Sequence, residues 1–205
     1  MIIKKIASII SFCVAALVTF LPFNFIVGSH AAFFSYATMA IPALGYEHSL
    51  FYVILYIFTK SLFSLSIPFV FFLRRLPLVV ATLALQKKTF HFFVILPILA
   101  MMLFSIHPVG GQVFYYSWYW FIPIGCYFFV QDTMPSRALA ASFIAHAIGS
   151  VIWLYLGQIP AHVWHGLIPL VIVERLIIAV GMIGYVYLFK AIHLWCESKL
   201  LKVIA

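Results

Sequence analysis

The chain has 205 residues, of which 66% are hydrophobic, 19% aromatic and only 8% charged. A water-soluble domain of this size cannot hide so much apolar surface, so the composition excludes one and indicates a single-domain polytopic membrane protein. Twelve Lys and Arg against four Asp and Glu give a formal charge of +8; with no solvated basic face, that excess orients the chain in a membrane and does not indicate nucleic acid.

Lys4 and Lys5 precede an apolar run, Ile6 to Val27, long enough for a first span. The run resembles a signal peptide ending near Ser29-His30-Ala31, but it exceeds a typical signal core and reads as a retained helix. Ala7, Ser11 and Ala15 recur every four residues on one face. Such a small-residue face lets a second helix approach closely, either within the chain or from a partner. Gly28 to His48 is apolar but interrupted by Gly28, Pro42 and Gly45. If it crossed the membrane, Arg74 and Arg75 would fall outside; as an outer capping loop it leaves them in the cytoplasm.

Ser49 to Leu73 is then the second span, with Lys60 near its middle. The following segment, RRLPLVVATLALQKK, holds about eleven mostly apolar residues between two basic pairs. It is too short to span and suits a helix lying along the cytoplasmic interface. Phe90 to Ile106 is the third span, closed by a turn at His107, Pro108, Gly110 and Gly111. Phe114 to Val130 is the fourth, and its outer end is dense in rings: Tyr115, Tyr116, Trp118, Tyr119 and Trp120. These form either an interfacial aromatic belt or a stacking wall for a flat ligand. Ala138 to Leu156 and Leu167 to Phe189 are the fifth and sixth spans, joined by a hairpin loop with Pro160, His162, Trp164 and His165. Lys190, Lys199 and Lys202 hold the tail inside. The expected fold is all-α: a membrane bundle of six transmembrane helices with an outer capping loop after helix one. Both ends face the cytoplasm, in the cell (inner or plasma) membrane.

Ionisable groups within spans are costly and mark candidate sites. At about 1.5 Å per residue, Lys60 lies near the midplane, His146 about 15 Å and Glu174 about 10 Å from the outer surface. With Tyr116, Trp120 and Trp164 they outline a pocket that opens outward. Two structural alternatives stand beside this. Lys60 and Glu174 could form an ion pair that locks two helices, and His146 could bond a neighbouring helix. Arg175 follows Glu174 directly, so the two side chains point about 100° apart.

His162 and His165 have no carboxylate nearby, and Cys13, Cys126 and Cys196 lack metal-type spacing, so no metal site or cofactor is indicated. No nucleophile elbow, HExxH site or paired acidic motif appears, so no catalytic residue is assigned and the chain is expected not to be an enzyme. An intramembrane enzyme using His146 and Glu174 as acid and base remains the alternative, as does a purely structural membrane subunit.

Six spans with cytoplasmic ends, the Ala7, Ser11 and Ala15 face, and long outer loops after spans one and five resemble an S component. These are the substrate-capturing membrane subunits of energy-coupling-factor transporters. The resemblance implies an outward pocket for a small, vitamin-like substrate, built by the last helices and capped by residues 28–48. It further implies that Ala7, Ser11 and Ala15 dock a transmembrane energising subunit that works with ATPases. The Met-His start of the cobalt and nickel versions is absent, so those metals are not implied.

Overall fold

The computed structural model describes residues 2–25, 33–62, 68–157 and 159–204. Helix α1 (Ile2–Val18) leads through a short antiparallel strand pair, β1 (Pro22–Phe25) and β2 (Phe33–Ser35), into α2 (Ala37–Glu47) and α3 (Leu50–Leu62). Helix α4 (Pro68–Gln86) follows, and a π-helical stretch (His91–Ile95) runs into α5 (Leu96–Ile106). After the short α6 (Pro108–Gln112), a 3₁₀ helix (Phe114–Trp120) continues as α7 (Phe121–Phe129). The long α8 (Met134–Leu156) and α9 (Ala161–Ile204) follow. Helices dominate the fold, as the composition demands.

Among the described residues, three helices are long and apolar enough to cross a membrane: Phe69–Gln86, Met134–Leu156 and Ala161–Lys199. Leu50–Leu62 and His91–Ile106 are apolar but shorter. The outside of the bundle is itself apolar, with Leu17, Phe72, Leu103, Val173, Val180 and Leu194 exposed. In water such a surface would aggregate; hydrocarbon is its natural solvent.

Local chemistry sets the two central helices. Helix α8 starts on a reciprocal cap in which Thr133 and Ser136 satisfy each other's backbone N–H groups. Its small residues, among them Ala138, Ala141, Ser142 and Gly149, let α4 lie close along its length. Pro77 of α4 fills the space beside Gly149, with its Cγ 3.6 Å from where a Cβ would stand. The 3₁₀ segment has a different effect. It rises about 2.0 Å per residue, so with α7 it reaches about 28 Å, near a hydrocarbon thickness, from few residues.

Four expectations need correction. Residues 37–47 are not an outer capping loop: they form α2, whose Ala37, Met39, Ala40, Ile41, Ala43 and Leu44 are buried against α1, α3, α4 and α9. Residues 28–32 lie outside the described residues. The segment after Arg74 is not an interfacial helix, because Leu78, Ala81, Thr82, Ala84 and Leu85 of α4 are buried against α2 and α8. Nor is Ser49 to Leu73 one span, since α3 and α4 pack side by side. The first helix also stops at Val18, short of Val27.

Long polar side chains tie one end of the bundle together. Arg137 donates to the carbonyls of Gln86 (2.8 Å) and Leu85 (3.3 Å) at the end of α4, and pairs with Asp132 at 3.2 Å. Gln86 donates to the Gly45 carbonyl and Lys88 to that of Val130. The Tyr46 ring lies between Arg137 and Lys190. These donors satisfy the last carbonyls of α2, α4 and α7, which lack intrahelical partners. Ser8 of α1 and His193 of α9 both meet His48 at this end, so α1 begins here and α9 returns to it. At the other end the α5–α6 turn depends on Gly110, where a Cβ would collide with the Phe104 carbonyl oxygen and come within 2.9 Å of Leu154. Gly110→Ala is therefore expected to destabilise the protein by about 1–3 kcal/mol, the range for over-packing a well-packed site. Gly184, whose Cβ would meet nothing within 4 Å, should tolerate alanine or gain about 0.5–1 kcal/mol. Thermal unfolding in one detergent compares the two; equal losses would contradict the turn assignment.

Candidate functional site

Ser142, His146 and Ser150 are spaced four apart and share one buried face of α8. Ser142 donates its hydroxyl hydrogen to the Arg175 carbonyl of α9 at 2.9 Å, which fixes the register of the two helices. One turn along, the His146 ring lies 5.5 Å from Tyr116 and 6.4 Å from Trp120, centroid to centroid. Tyr116 meets Trp164 edge-on at 5.0 Å. Phe104 closes the group, 5.3 Å from each indole and stacked on Tyr116 at 5.6 Å. The Tyr119 hydroxyl donates to the Ile168 carbonyl at 2.8 Å and so anchors the 3₁₀ helix on α9. Four segments, α5, the 3₁₀ helix, α8 and α9, thus converge on one box of rings in the half of the bundle away from the basic end.

The box is closed: Tyr116 is 1% exposed, Trp120 0%, Trp164 2% and His146 9%. Yet His146 Nε2, Trp120 Nε1 and Trp164 Nε1 are buried and find no hydrogen-bond partner among the described residues. Each such group costs about 1–3 kcal/mol when left unmade. Phenylalanine would fill a sealed apolar core at lower cost. Three ring nitrogens without protein partners thus lie within one set of touching rings.

Charge enters from α9. Arg175 is buried, and its Nη2 lies 3.3 Å from Glu174 Oε2. Arg175 faces the box, close enough to act electrostatically on both His146 and Tyr116. Glu174 is linked to the site through this guanidinium. Lys60 lies elsewhere: its ammonium rests 3.7 Å over the Phe20 ring, and no ion pair joins it to Glu174 among the described residues. The small-residue face of α1 is consumed by packing, since Ala7, Ser11 and Ala15 are each 0% exposed. As placed, it is not open to a partner.

The structure therefore gathers His146, Tyr116, Trp120 and Trp164, links Glu174 to them, and leaves Lys60 out. Trp164 lies in the first turn of α9 and not in a loop. Beside it, His165 is hydrogen-bonded to the Tyr115 hydroxyl. Sequence reasoning noted Arg175 as a charge within a span without placing it in the site, and it did not group Ser142, Ser150 and Phe104 with the box. The four-residue spacing of Ser142, His146 and Ser150 was the signal available for two of them. No group of three or more His, Cys, Asp or Glu able to hold a metal ion occurs among the described residues. No protein-family model, curated protein or solved structure matches the chain.

A second polar cluster marks the basic end, in the turn between α2 and α3. His48 Nδ1 lies 3.0 Å from the Ser8 hydroxyl, and its ring stacks on His193, with centroids 6.3 Å apart and planes 13° apart. His193 in turn lies 3.4 Å from Glu197. Burial, with His193 adding to it, pushes the His48 pKa from 6.5 down to about 4. The folded protein refuses a proton that unfolded His48 accepts, so its contribution to stability is full above pH 6.5 and is lost as pH falls towards 4. Burial raises the neighbouring Glu47 carboxyl, against the pull of Lys190 and His193, and this gives the opposite slope at the acid end of the window. Melting curves between about pH 7.5 and about pH 4.5 should show the fall, and His48→Gln should flatten it. An unchanged slope in that variant would contradict the assignment.

Proposed function

We propose that this protein is a membrane-embedded subunit that captures a small molecule for uptake, in the manner of the substrate-binding component of a transporter. The observation that carries the proposal is the box of Tyr116, Trp120, Trp164 and His146 with its three unpartnered ring nitrogens. Ring faces suit a flat, vitamin-like molecule, and two indole N–H donors beside an imidazole suit one with hydrogen-bond acceptors along its edge. Arg175, buried and paired with Glu174, adds a guanidinium beside the rings. The bundle lies in the cell membrane as a multi-pass protein. Lys4, Lys5, Lys87, Lys88, Arg137 and Lys190 put the end holding both termini in the cytoplasm, which leaves the box in the outer half. An energising subunit with its ATPases then docks on a face other than that of Ala7, Ser11 and Ala15.

Trp120→Phe and Trp164→Phe test this, because each removes a donor and keeps a ring. The washed, ligand-free protein should keep its stability or gain about 1 kcal/mol, since an unsatisfied buried donor is gone. Occupancy by a small molecule that copurifies with the unaltered protein, read by mass spectrometry, should fall about tenfold in each variant. If both variants lose stability and retain the bound molecule unchanged, the box is structural packing and the proposal fails.

A further inference from the structure

A groove on the bundle surface stands apart from the box. Leu73 of α4, Leu103 of α5, and Val151, Ile152, Tyr155 and Leu156 of α8 line a space of about 310 Å³. The Tyr155 hydroxyl donates to the Leu103 carbonyl at 2.9 Å, so the lining offers an occupant only hydrocarbon. Arg74 and Trp153, next in sequence to Leu73 and Ile152, meet at its edge with the guanidinium carbon 4.9 Å from the indole centroid.

The charge balance of the chain gives this edge its meaning. All four acidic residues are committed elsewhere. Asp132 pairs with Arg137, Glu174 with Arg175 and Glu197 with His193, while Glu47 lies by Lys190 and His193. Arg74, Arg75 and Lys60 lie instead over the rings of Trp153, Phe71 and Phe20. Among the described residues no carboxylate pairs with any of the three, and Arg75 is close enough to Lys60 for their charges to repel. A guanidinium resting over a ring keeps its N–H fork for a planar or tetrahedral oxyanion. Cations without an internal counter-charge, set beside a hydrocarbon groove in an apolar surface, match an amphiphile with a negative head.

We propose that the groove and Arg74 form a binding site for an anionic phospholipid, with one acyl chain along Leu73, Leu103 and Ile152 and the phosphate on the Arg74 guanidinium. Arg75 and Lys60 add positive potential that favours acidic over zwitterionic headgroups. Full-length protein in mixed micelles, titrated with palmitoyl-oleoyl phosphatidylglycerol or the matching phosphatidylcholine and read by native mass spectrometry, tests it. Phosphatidylglycerol should bind about tenfold more tightly. Arg74→Gln should reduce it to the phosphatidylcholine level while phosphatidylcholine binding stays unchanged, which also reports an intact fold. Arg74→Lys, which keeps the charge and loses the fork, should retain part of the preference. Val151→Trp, filling the groove, should weaken both lipids. Equal binding of the two lipids by the unaltered protein, or an undiminished preference in Arg74→Gln, overturns the proposal. Palmitate competing as well as phosphatidylglycerol would assign the groove to a free fatty acid and overturn it too.

Discussion

Helix α9 buries Arg175 at 4% exposure, where a guanidinium is costly unless it is paired. Removing the partner of such a charge costs about 3–5 kcal/mol, so its surroundings are not free to vary. Glu174 supplies the counter-charge from the preceding position, and Ser142 bonds to the Arg175 carbonyl from across the helix interface. Together they fix α8 against α9. Because His146 and Ser150 follow Ser142 at one-turn intervals, that register also sets the imidazole against Tyr116 and Trp120. The aromatic box is thus positioned by a polar contact one turn away from it.

The two ends of the bundle are held by different physics. At the basic end, Arg137, Gln86 and Lys88 satisfy helix-terminal carbonyls by directional hydrogen bonds. Around the box, ring against ring does most of the holding, with Phe104, Tyr116, Trp120 and Trp164 in mutual contact. Dispersion contacts are numerous but non-directional, and rings can slide or tilt at modest cost where a severed cap cannot be replaced. A closed box that admits a molecule is easier to build from such contacts than from a hydrogen-bonded lattice.

Much of this was legible in the sequence, and what was not has particular causes. The helical membrane character follows from composition, and His146, Tyr116, Trp120 and Trp164 could be grouped because polar and aromatic residues at similar depth on successive spans tend to meet. The role of α2 was hidden by Pro42 and Gly45, which read as breakers. In the fold Pro42 sits inside a short buried helix, and Gly45 allows Val53 and Thr82 to approach, with Val53 Cγ2 2.6 Å from where a Cβ would stand. Arg74 and Arg75 read as a membrane edge, but contacts with Trp153 and Phe71 hold them part-way along α4. Glu174 and Arg175 are adjacent, and no periodicity shows which of two neighbours 100° apart turns inward. A small-residue face such as Ala7, Ser11 and Ala15 looks the same whether its partner helix belongs to the same chain or another.

The most direct test of the central claim is an experimental density map of the protein extracted from its native membrane into lipid nanodiscs without delipidation. The account predicts a compact, non-protein feature among Tyr116, Trp120, Trp164 and His146, within hydrogen-bond distance of at least two of the three ring nitrogens now without partners. A map with those rings in mutual contact and the same nitrogens facing only carbon would contradict it.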